Sequence, residues 1–347
     1  MNLQQKYMFR CIQLAKNGLG TTYPNPLVGS VLVVADKIIG EGWHLEAGKA
    51  HAEVNAINSV VDESLLEKAT IYVSLEPCSH YGKTPPCADL IIAKGIKNVV
   101  VGSTDPNPKV AGKGIIKLMK AGCKVSVGVL EKECDALNKR FFTFQNKRRP
   151  FIFLKWAESQ DGYIAPKSRD KQAPAWITNT ESRQRVHQMR AEEQSILVGT
   201  NTVFEDNPSL TTREAEGSNP TRVVLDRRLR ISAWAAVLDG AVKTIVITET
   251  TGTPIDNVVY ECIDFDTPIA SQVCDVLFRH DIQSVIIEGG SQTLQTFIDA
   301  GLWDEAHIYK GTGSFSEGLR APSIQGQNIS EEKIKNDRLT ILKNKEL

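Results

Sequence analysis

Three residues able to hold a transition metal stand at the ends of regular elements within the first ninety positions. His51 is where a helical apolar pattern begins, Cys78 follows the strand pattern 70–75, and Cys87 opens another helical run. Side chains this far apart in sequence meet only if strand ends and helix starts converge on one edge of a sheet, which a layered α/β fold provides. The surrounding pattern agrees. Residues 28–34, 70–75, 98–101 and 124–127 read as strands, and helical stretches fall at 52–61, 87–94 and 112–121. In the first of these, Val54, Ile57 and Val61 share the face that a core would cover.

The polar run Asn146-Lys147-Arg148-Arg149-Pro150 ends this region, and the apolar strand Phe151-Ile152-Phe153-Leu154 restarts the alternation. A chain of 347 residues accommodates two domains, so 1–146 is expected for one and 150–347 for the other. The second part reads as a strand at 151–155 and a helix at 179–193, with Thr178 and Glu181 spaced as a capping box. Further strands are expected at 195–198, 222–226, 244–247 and 284–287, helices near 269–280 and 291–300, an exposed loop at 211–220, and a weakly patterned tail after Pro322. This is a second α/β domain. Ile287-Glu288-Gly289-Gly290, followed by Ser291 and a helix carrying Leu294, Phe297 and Ile298, has the form of a phosphate cradle at a helix start, and also that of a tight turn. With no G-x-G-x-x-G, a Rossmann dinucleotide fold is not expected.

Lys+Arg and Asp+Glu both number 41. Such a chain has no basic excess to neutralise a phosphate backbone, so nucleic acid is not an expected partner. No run of eighteen apolar residues occurs, and residues 1–7 lack the apolar stretch of a secretory signal, so a cytoplasmic protein with no membrane partner is expected. Seven cysteines, an odd number, suit reduced thiols and metal ligands better than a disulfide framework. Of these, Cys11, Cys123, Cys134, Cys262 and Cys274 read as ordinary thiols.

One histidine and two thiolates make a tetrahedral zinc site with a fourth position open to water, which is the catalytic rather than the closed structural arrangement. Glu53, two residues past His51, can reach that position without ligating the metal and serve as general acid and base. H-x-E followed by P-C-x-x-C is the signature of zinc deaminases of nucleobases, but here eight residues separate Cys78 from Cys87. Two other readings stand beside this one. The chain could act on another amine, such as cytidine or a tRNA adenosine, with its second half a binding module, or it could hold zinc without turnover.

The intervening Ser79-His80-Tyr81-Gly82-Lys83-Thr84-Pro85-Pro86, with Asn25-Pro26-Leu27-Val28-Gly29 and Asp105-Pro106-Asn107-Pro108, closely resembles the bifunctional riboflavin-biosynthesis deaminase-reductases. The likeness continues to about residue 320 through Lys155, Ser159-Gln160-Asp161-Gly162, Trp176-Ile177-Thr178, Gly199-Thr200-Asn201-Thr202-Val203, Asp206-Asn207-Pro208-Ser209-Leu210-Thr211 and Glu288-Gly289-Gly290. It implies a cytidine-deaminase-like three-layer α/β/α domain followed by a dihydrofolate-reductase-like α/β domain. The implied cofactors are zinc, on His51, Cys78 and Cys87, and NADPH. The implied reactions are deamination of 2,5-diamino-6-(5-phosphoribosylamino)pyrimidin-4-one and then reduction of its ribose to a ribityl chain. A small phosphoribosylated pyrimidine is thus the expected partner, and a homo-oligomer the expected assembly.

Carried over by residue, Asn25, His44, His80 and Lys83 hold the deaminase substrate, although His44 and His80 could be spare metal ligands and Lys83 a solvated loop lysine. In the reductase, Trp176, Thr202, Asp206 and the stretch Gly290, Ser291, Gln292, Thr293, Leu294, Gln295 and Thr296 face NADPH, and Asp206 is the candidate for moving a proton. Arg190, Leu210, Arg213 and Glu288 face substrate, the arginines suiting its phosphate or, alternatively, pairing at the surface. Three positions depart from the family. Pro174 replaces a substrate-touching serine, Glu158 a small residue near the cofactor, and Arg227 a serine where a guanidinium can meet the 2′-phosphate of NADPH or merely cover a turn.

Overall fold

A computed structural model describes residues 1–81, 85–107, 111–168 and 171–345. The chain forms two compact units, Met1–Arg148 and Arg149–Leu347. No helix among the described residues is long and apolar enough to cross a membrane.

The first unit runs α1 (Leu3–Ala15), β1 (Gly29–Val34), β2 (Lys37–Trp43), α2 (Ala52–Asn58), β3 (Thr70–Leu75), α3 (Cys87–Ala93), β4 (Asn98–Ser103), α4 (Lys113–Lys120), β5 (Lys124–Val127), α5 (Glu131–Leu137) and α6 (Lys139–Lys147). Its sheet has the order β2-β1-β3-β4-β5, with β3, β4 and β5 parallel and β1 antiparallel to β3. Alternate side chains leave a strand on opposite faces, and here both faces are apolar. Leu32, Ile71, Val73, Val99 and Val101 pack under α2, α3 and α4, while Val31, Val33, Tyr72 and Val100 pack under α1 and α5. That makes three layers, α/β/α. Gly29 shows how closely they approach, because a Cβ there would overlap the carbonyl oxygen of Cys11 in α1. The glycine of the Asn25–Gly29 motif is therefore a packing requirement. Val61 does not share the core face expected of it: α2 ends at Asn58, and Val61 is fully exposed.

The second unit runs β6 (Phe151–Glu158), β7 (Tyr163–Pro166), α7 (Thr180–Glu192), β8 (Ser195–Gly199), α8 (Thr200–Asp206), β9 (Thr221–Leu225), β10 (Thr244–Thr248), β11 (Val258–Cys262), α9 (Ile269–Arg279), β12 (Ser284–Gly289), α10 (Ser291–Asp299), β13 (Glu305–Lys310), β14 (Gly318–Arg320), β15 (Gln327–Ile334) and β16 (Asp337–Lys343). Nine strands form one sheet in the order β11-β10-β9-β8-β12-β6-β13-β16-β15. Its first seven strands are parallel, and β16 and β15 close it antiparallel. Ile152, Leu154, Leu197, Val285 and Ile287 face α9 and α10, and Phe153, Ile196, Val198 and Ile286 supply the other core.

Helix α7 is capped by Asn179, whose side chain accepts from the Ser182 amide, and Glu181 pairs with Lys335 instead of turning back to Thr178. The tail after Pro322, weakly patterned in sequence, supplies β15 and β16, which complete the sheet. Seven of the eight β15 residues are exposed, so backbone pairing and not burial makes it a strand, and hydrophobic periodicity carried no signal of it.

Candidate functional site

In the first unit the carboxyl end of β3 meets the starts of α2 and α3. His51 is the N-cap of α2, Cys87 is the first residue of α3, and Cys78 lies in the segment after β3. The donor atoms of the three all lie within 4.8 Å of one another. His51 Nδ1 is 3.6 Å from Cys78 Sγ and 3.3 Å from Cys87 Sγ. Zinc bonds of about 2.3 Å to sulfur and about 2.0–2.1 Å to nitrogen set tetrahedral donors roughly 3.6 Å apart, so this set fits zinc without rearrangement. The Cys87 thiol and backbone amide, with His51, stabilise the Cys78 thiolate and hold its pKa down to about 4, against burial. Cys87, facing that thiolate, is pushed the other way.

Glu53, in the first turn of α2, is buried beside these ligands, and burial followed by the Cys78 charge raises its carboxyl to about 7. His44 is also buried. Its Nδ1 bonds the Ala50 carbonyl at 3.0 Å, which leaves Nε2 as acceptor for the Asn25 amide at 3.0 Å, and its ring meets His51 edge-on at 5.3 Å. With both nitrogens engaged, His44 is not a spare ligand. His80 is exposed in the segment between the cysteines, and Lys83 lies outside the described residues. Glu76, two residues before Cys78, is a support that the motif reading passed over. Its buried carboxylate accepts from Gly112 N at 2.9 Å and Gly114 N at 2.8 Å, tying the start of α4 to the cysteine segment.

The second unit contains a cavity of about 660 Å³, within the usual range for a small-molecule site. Pro174, Trp176, Arg190, Thr202, Asp206, Leu210, Arg213, Glu288 and Gly290 all border it. At its wall lies a buried ionic triad. Glu288 accepts from Lys155 Nζ at 2.9 Å and from Arg190 Nη2 at 2.8 Å. Burial alone would raise the Glu288 carboxyl, but the charges of Arg190 and Lys155 outweigh it and hold the group down to about 2. Two cations share one carboxylate, and Arg190 Nε is buried with no partner among the described residues. An anion entering the cavity would balance the surplus charge. Arg213, whose guanidinium bonds Ser209 Oγ and Thr211 Oγ1, adds a third cation. Trp176 presents an exposed indole stacked by Arg183 at 4.8 Å, and Thr202 Oγ1 stands 3.5 Å from where a Gly290 Cβ would be. Exposed indole, glycine at an uncapped helix start and adjoining hydroxyl together fit a dinucleotide with its phosphates.

Other expected cofactor residues lie off the cavity wall. Leu294 is fully buried beside Phe297 in the core, so only its backbone remains for contact. Ser291 Oγ bonds Arg320 O, Thr296 Oγ1 bonds Gln292 O, and Gln295 bonds Asp299, while Thr293 Oγ1 fills the space beside Gly199. Glu158 accepts from Trp156 Nε1 at 3.0 Å and pairs with Lys310. Arg227 is held by Glu249 at 2.6 Å and Asp266 at 3.0 Å. Conversely, Lys155, Arg183, His187 and Tyr309 border the cavity without having been assigned to it. Lys155 carried a signal, being a charge inside β6 with apolar residues on both sides of it.

Residues 1–103 match the cytidine and deoxycytidylate deaminase zinc-binding region, and residues 150–344 match the RibD C-terminal domain. The riboflavin biosynthesis protein RibD of Bacillus amyloliquefaciens is 43% identical over 341 residues, covering 95% of this chain and 90% of its own. That of Aquifex aeolicus is 39% identical over 334 residues, covering 95% and 92%. Among solved structures, a diaminohydroxyphosphoribosylaminopyrimidine deaminase/5-amino-6-(5-phosphoribosylamino)uracil reductase from Thermotoga maritima superposes with a TM-score of 0.89 at 38% identity, covering 99% of both chains.

Proposed function

The chain belongs to the family of RibD riboflavin-biosynthesis deaminase-reductases, and from that premise we propose that each unit carries one of the two activities. It is a zinc-binding deaminase joined to an NADPH-using reductase. The first unit, through Met1–Arg148, hydrolyses the exocyclic amine of 2,5-diamino-6-(5-phosphoribosylamino)pyrimidin-4-one. The second reduces the resulting 5-amino-6-(5-phosphoribosylamino)uracil. One observation carries the reading: two separate chemical centres, a His-Cys-Cys donor set and an anion-seeking cavity, lie in different units of one chain.

In the deaminase, His51, Cys78 and Cys87 would hold the zinc, which when bound supplies the Lewis acidity that makes water a nucleophile at neutral pH. Glu53 would carry both protons of that water in turn, the first to the ring nitrogen and the second to the departing amine, so that ammonia leaves and a carbonyl remains. Its burial beside the ligands excludes competing solvent. Asn25 and His44 form a fixed hydrogen-bonding pair at the same place and orient the pyrimidine.

In the reductase, Arg190 and Arg213 take the sugar phosphate, and Trp176, Thr202, Gly290 and the start of α10 take NADPH, which supplies the hydride. Substrate reaches the hydride as the ring-opened imine, and Asp206, at the cavity wall, assists the accompanying proton movement. A reducing cytoplasm would maintain both the NADPH and the free thiols. The deciding assay follows ammonia release from the diaminopyrimidine, with cytidine alongside, and then NADPH oxidation. Ammonia from cytidine alone, or NADPH oxidation absent after deamination, would overturn the assignment.

A further inference from the structure

Residues 207–213 carry Arg213 to the cavity, and four side chains from outside this segment hold it by its backbone, among them Asn219, whose Oδ1 accepts from Thr212 N at 2.8 Å. Arg222 Nε donates to Ser209 O at 2.9 Å, and Arg190 Nη1 donates to Thr211 O at 3.2 Å. Like the Thr212 amide, the amide of Arg213 itself donates outward, to His187 Nδ1 at 3.1 Å. His187 is 4% exposed, on α7 three residues before Arg190, and it borders the cavity. A ring nitrogen that accepts an N–H cannot carry a proton, so the bonded form is neutral with its hydrogen on Nε2.

We propose that His187 is a positioning residue for the substrate phosphate: by accepting the Arg213 amide it fixes the point from which the Arg213 guanidinium reaches the cavity. This rests on the reading of the cavity as the reductase site. Arg190 holds the segment through Thr211 O, and His187, on the same helix, holds it two residues further on through the Arg213 amide, so the anchor aligns one phosphate-binding cation relative to the other. Arg213 cannot be placed by burial instead, because its side chain is exposed and its remaining bonds run to Ser209 and Thr211 of the same segment.

Protonation at Nδ1 would remove the acceptor. The charged groups facing the ring are Arg190 on its own helix, Arg213 and Glu214 from the following segment, and Glu288 from β12, with Glu214 Oε1 at 4.0 Å from Nε2. Burial, and then the charges of Arg190 and Arg213, lower the imidazole below its ordinary value, which keeps the anchor closed at neutral pH. Acid opens it.

The test compares full-length wild type, His187→Asn and His187→Leu. Reductase kinetics are measured with NADPH and 5-amino-6-(5-phosphoribosylamino)uracil, and ribose 5-phosphate binding is measured by calorimetry. Asparagine places Oδ1 near the position of Nδ1 and cannot protonate there; leucine keeps bulk without an acceptor. The expected result is that His187→Leu raises KM and the ribose 5-phosphate Kd about tenfold with kcat within about twofold, while His187→Asn stays within about threefold throughout. Between pH 8 and 5.5 the wild type should lose ribose 5-phosphate affinity more steeply than His187→Asn. The phosphate's own ionisation near 6 is common to both, so the difference isolates the imidazole. Equal behaviour of the Asn and Leu variants, an unchanged KM in His187→Leu, or identical pH slopes would overturn the inference. A wild type that neither binds ribose 5-phosphate nor reduces the substrate would instead sink the reading of the cavity itself, and this inference with it.

Discussion

Arg190 donates one terminal nitrogen to Glu288 at 2.8 Å while its buried Nε has no partner among the described residues. Its other terminal nitrogen donates to Thr211 O at 3.2 Å, so the guanidinium is fixed through both terminal nitrogens and Nε alone is left unsatisfied.

The first prediction concerns Glu288. Its pKa is about 2 in the folded protein against 4.5 as a free group, so its stabilising effect is complete above the unfolded value and is lost as pH falls from about 4.5 towards 2. Glu288→Gln leaves Lys155 and Arg190 facing each other without a counter-charge, a change that costs about 3–5 kcal/mol in buried pairs. Thermal unfolding should show the transition that NADPH stabilises moved down in the variant, with a flatter dependence on pH between 4.5 and 2. An unchanged transition would mean that solvent already screens the triad.

A second prediction separates metal holding from proton transfer. Purified protein should contain one zinc per chain, and Glu53→Gln should keep it while deamination falls at least about 100-fold. Cys78→Ser and Cys87→Ser should lose both the metal and activity. Metal analysis beside ammonia release reads this out; near-normal turnover in Glu53→Gln would remove the proton role assigned here.

Third, Gly114 should matter to a metal that it never touches. A Cβ there would overlap the carbonyl oxygen of Pro77, which precedes Cys78, and the Gly114 amide donates to Glu76. Gly114→Ala should displace the cysteine segment and lower zinc affinity about 10–100-fold, as loss of supporting contacts does at metal sites. NADPH oxidation on supplied uracil substrate is the internal control. Zinc competition with a chelator should distinguish the variant from wild type.

A fourth prediction is that cuts between Asn146 and Pro150 leave a deaminase that works without NADPH. Each unit has its own sheet, covered on both faces by its own apolar clusters. Ammonia release by the isolated first unit measures this, and inactive fragments from several cut points would argue for one interdependent protein.

Much of the deaminase centre was legible because its chemistry coincides with punctuation. His51 caps a helix, Cys87 starts one and Cys78 follows a strand, so local pattern alone carries them to one edge. Other features lay beyond local pattern. Whether Leu294 lines a cavity or a core depends on which way α10 rolls against β12, and an apolar residue near a glycine-rich turn is compatible with either. The partners of Arg227, Glu249 and Asp266, lie 22 and 39 residues away and become neighbours only through the parallel sheet. His187 reads locally as one more helical polar residue, and its bond to Arg213 spans 26 residues.

Arg227 supports the last prediction. It follows β9 by two residues, at the kind of strand end where an arginine accommodates the 2′-phosphate that distinguishes NADPH from NADH. A guanidinium free to bond phosphate at both nitrogens would favour NADPH by tenfold or somewhat more. This one is not free. It bonds Glu249 and Asp266, so a phosphate must compete with two carboxylates already neutralising it, and the group is substantially exposed to screening. Arg228 shares Glu249 at 3.4 Å, which leaves two arginines against two carboxylates and no net local charge. The expected discrimination is therefore smaller, about threefold. Arg227→Ala should weaken NADPH by that factor and leave NADH unchanged, whereas Glu249→Gln, which releases the guanidinium, should strengthen NADPH relative to NADH. Steady-state KM values for both cofactors in the three proteins decide it. Equal losses for NADPH and NADH in Arg227→Ala would show damage to the turn, and no change in either variant would leave Arg227 as surface charge without touching the use of NADPH.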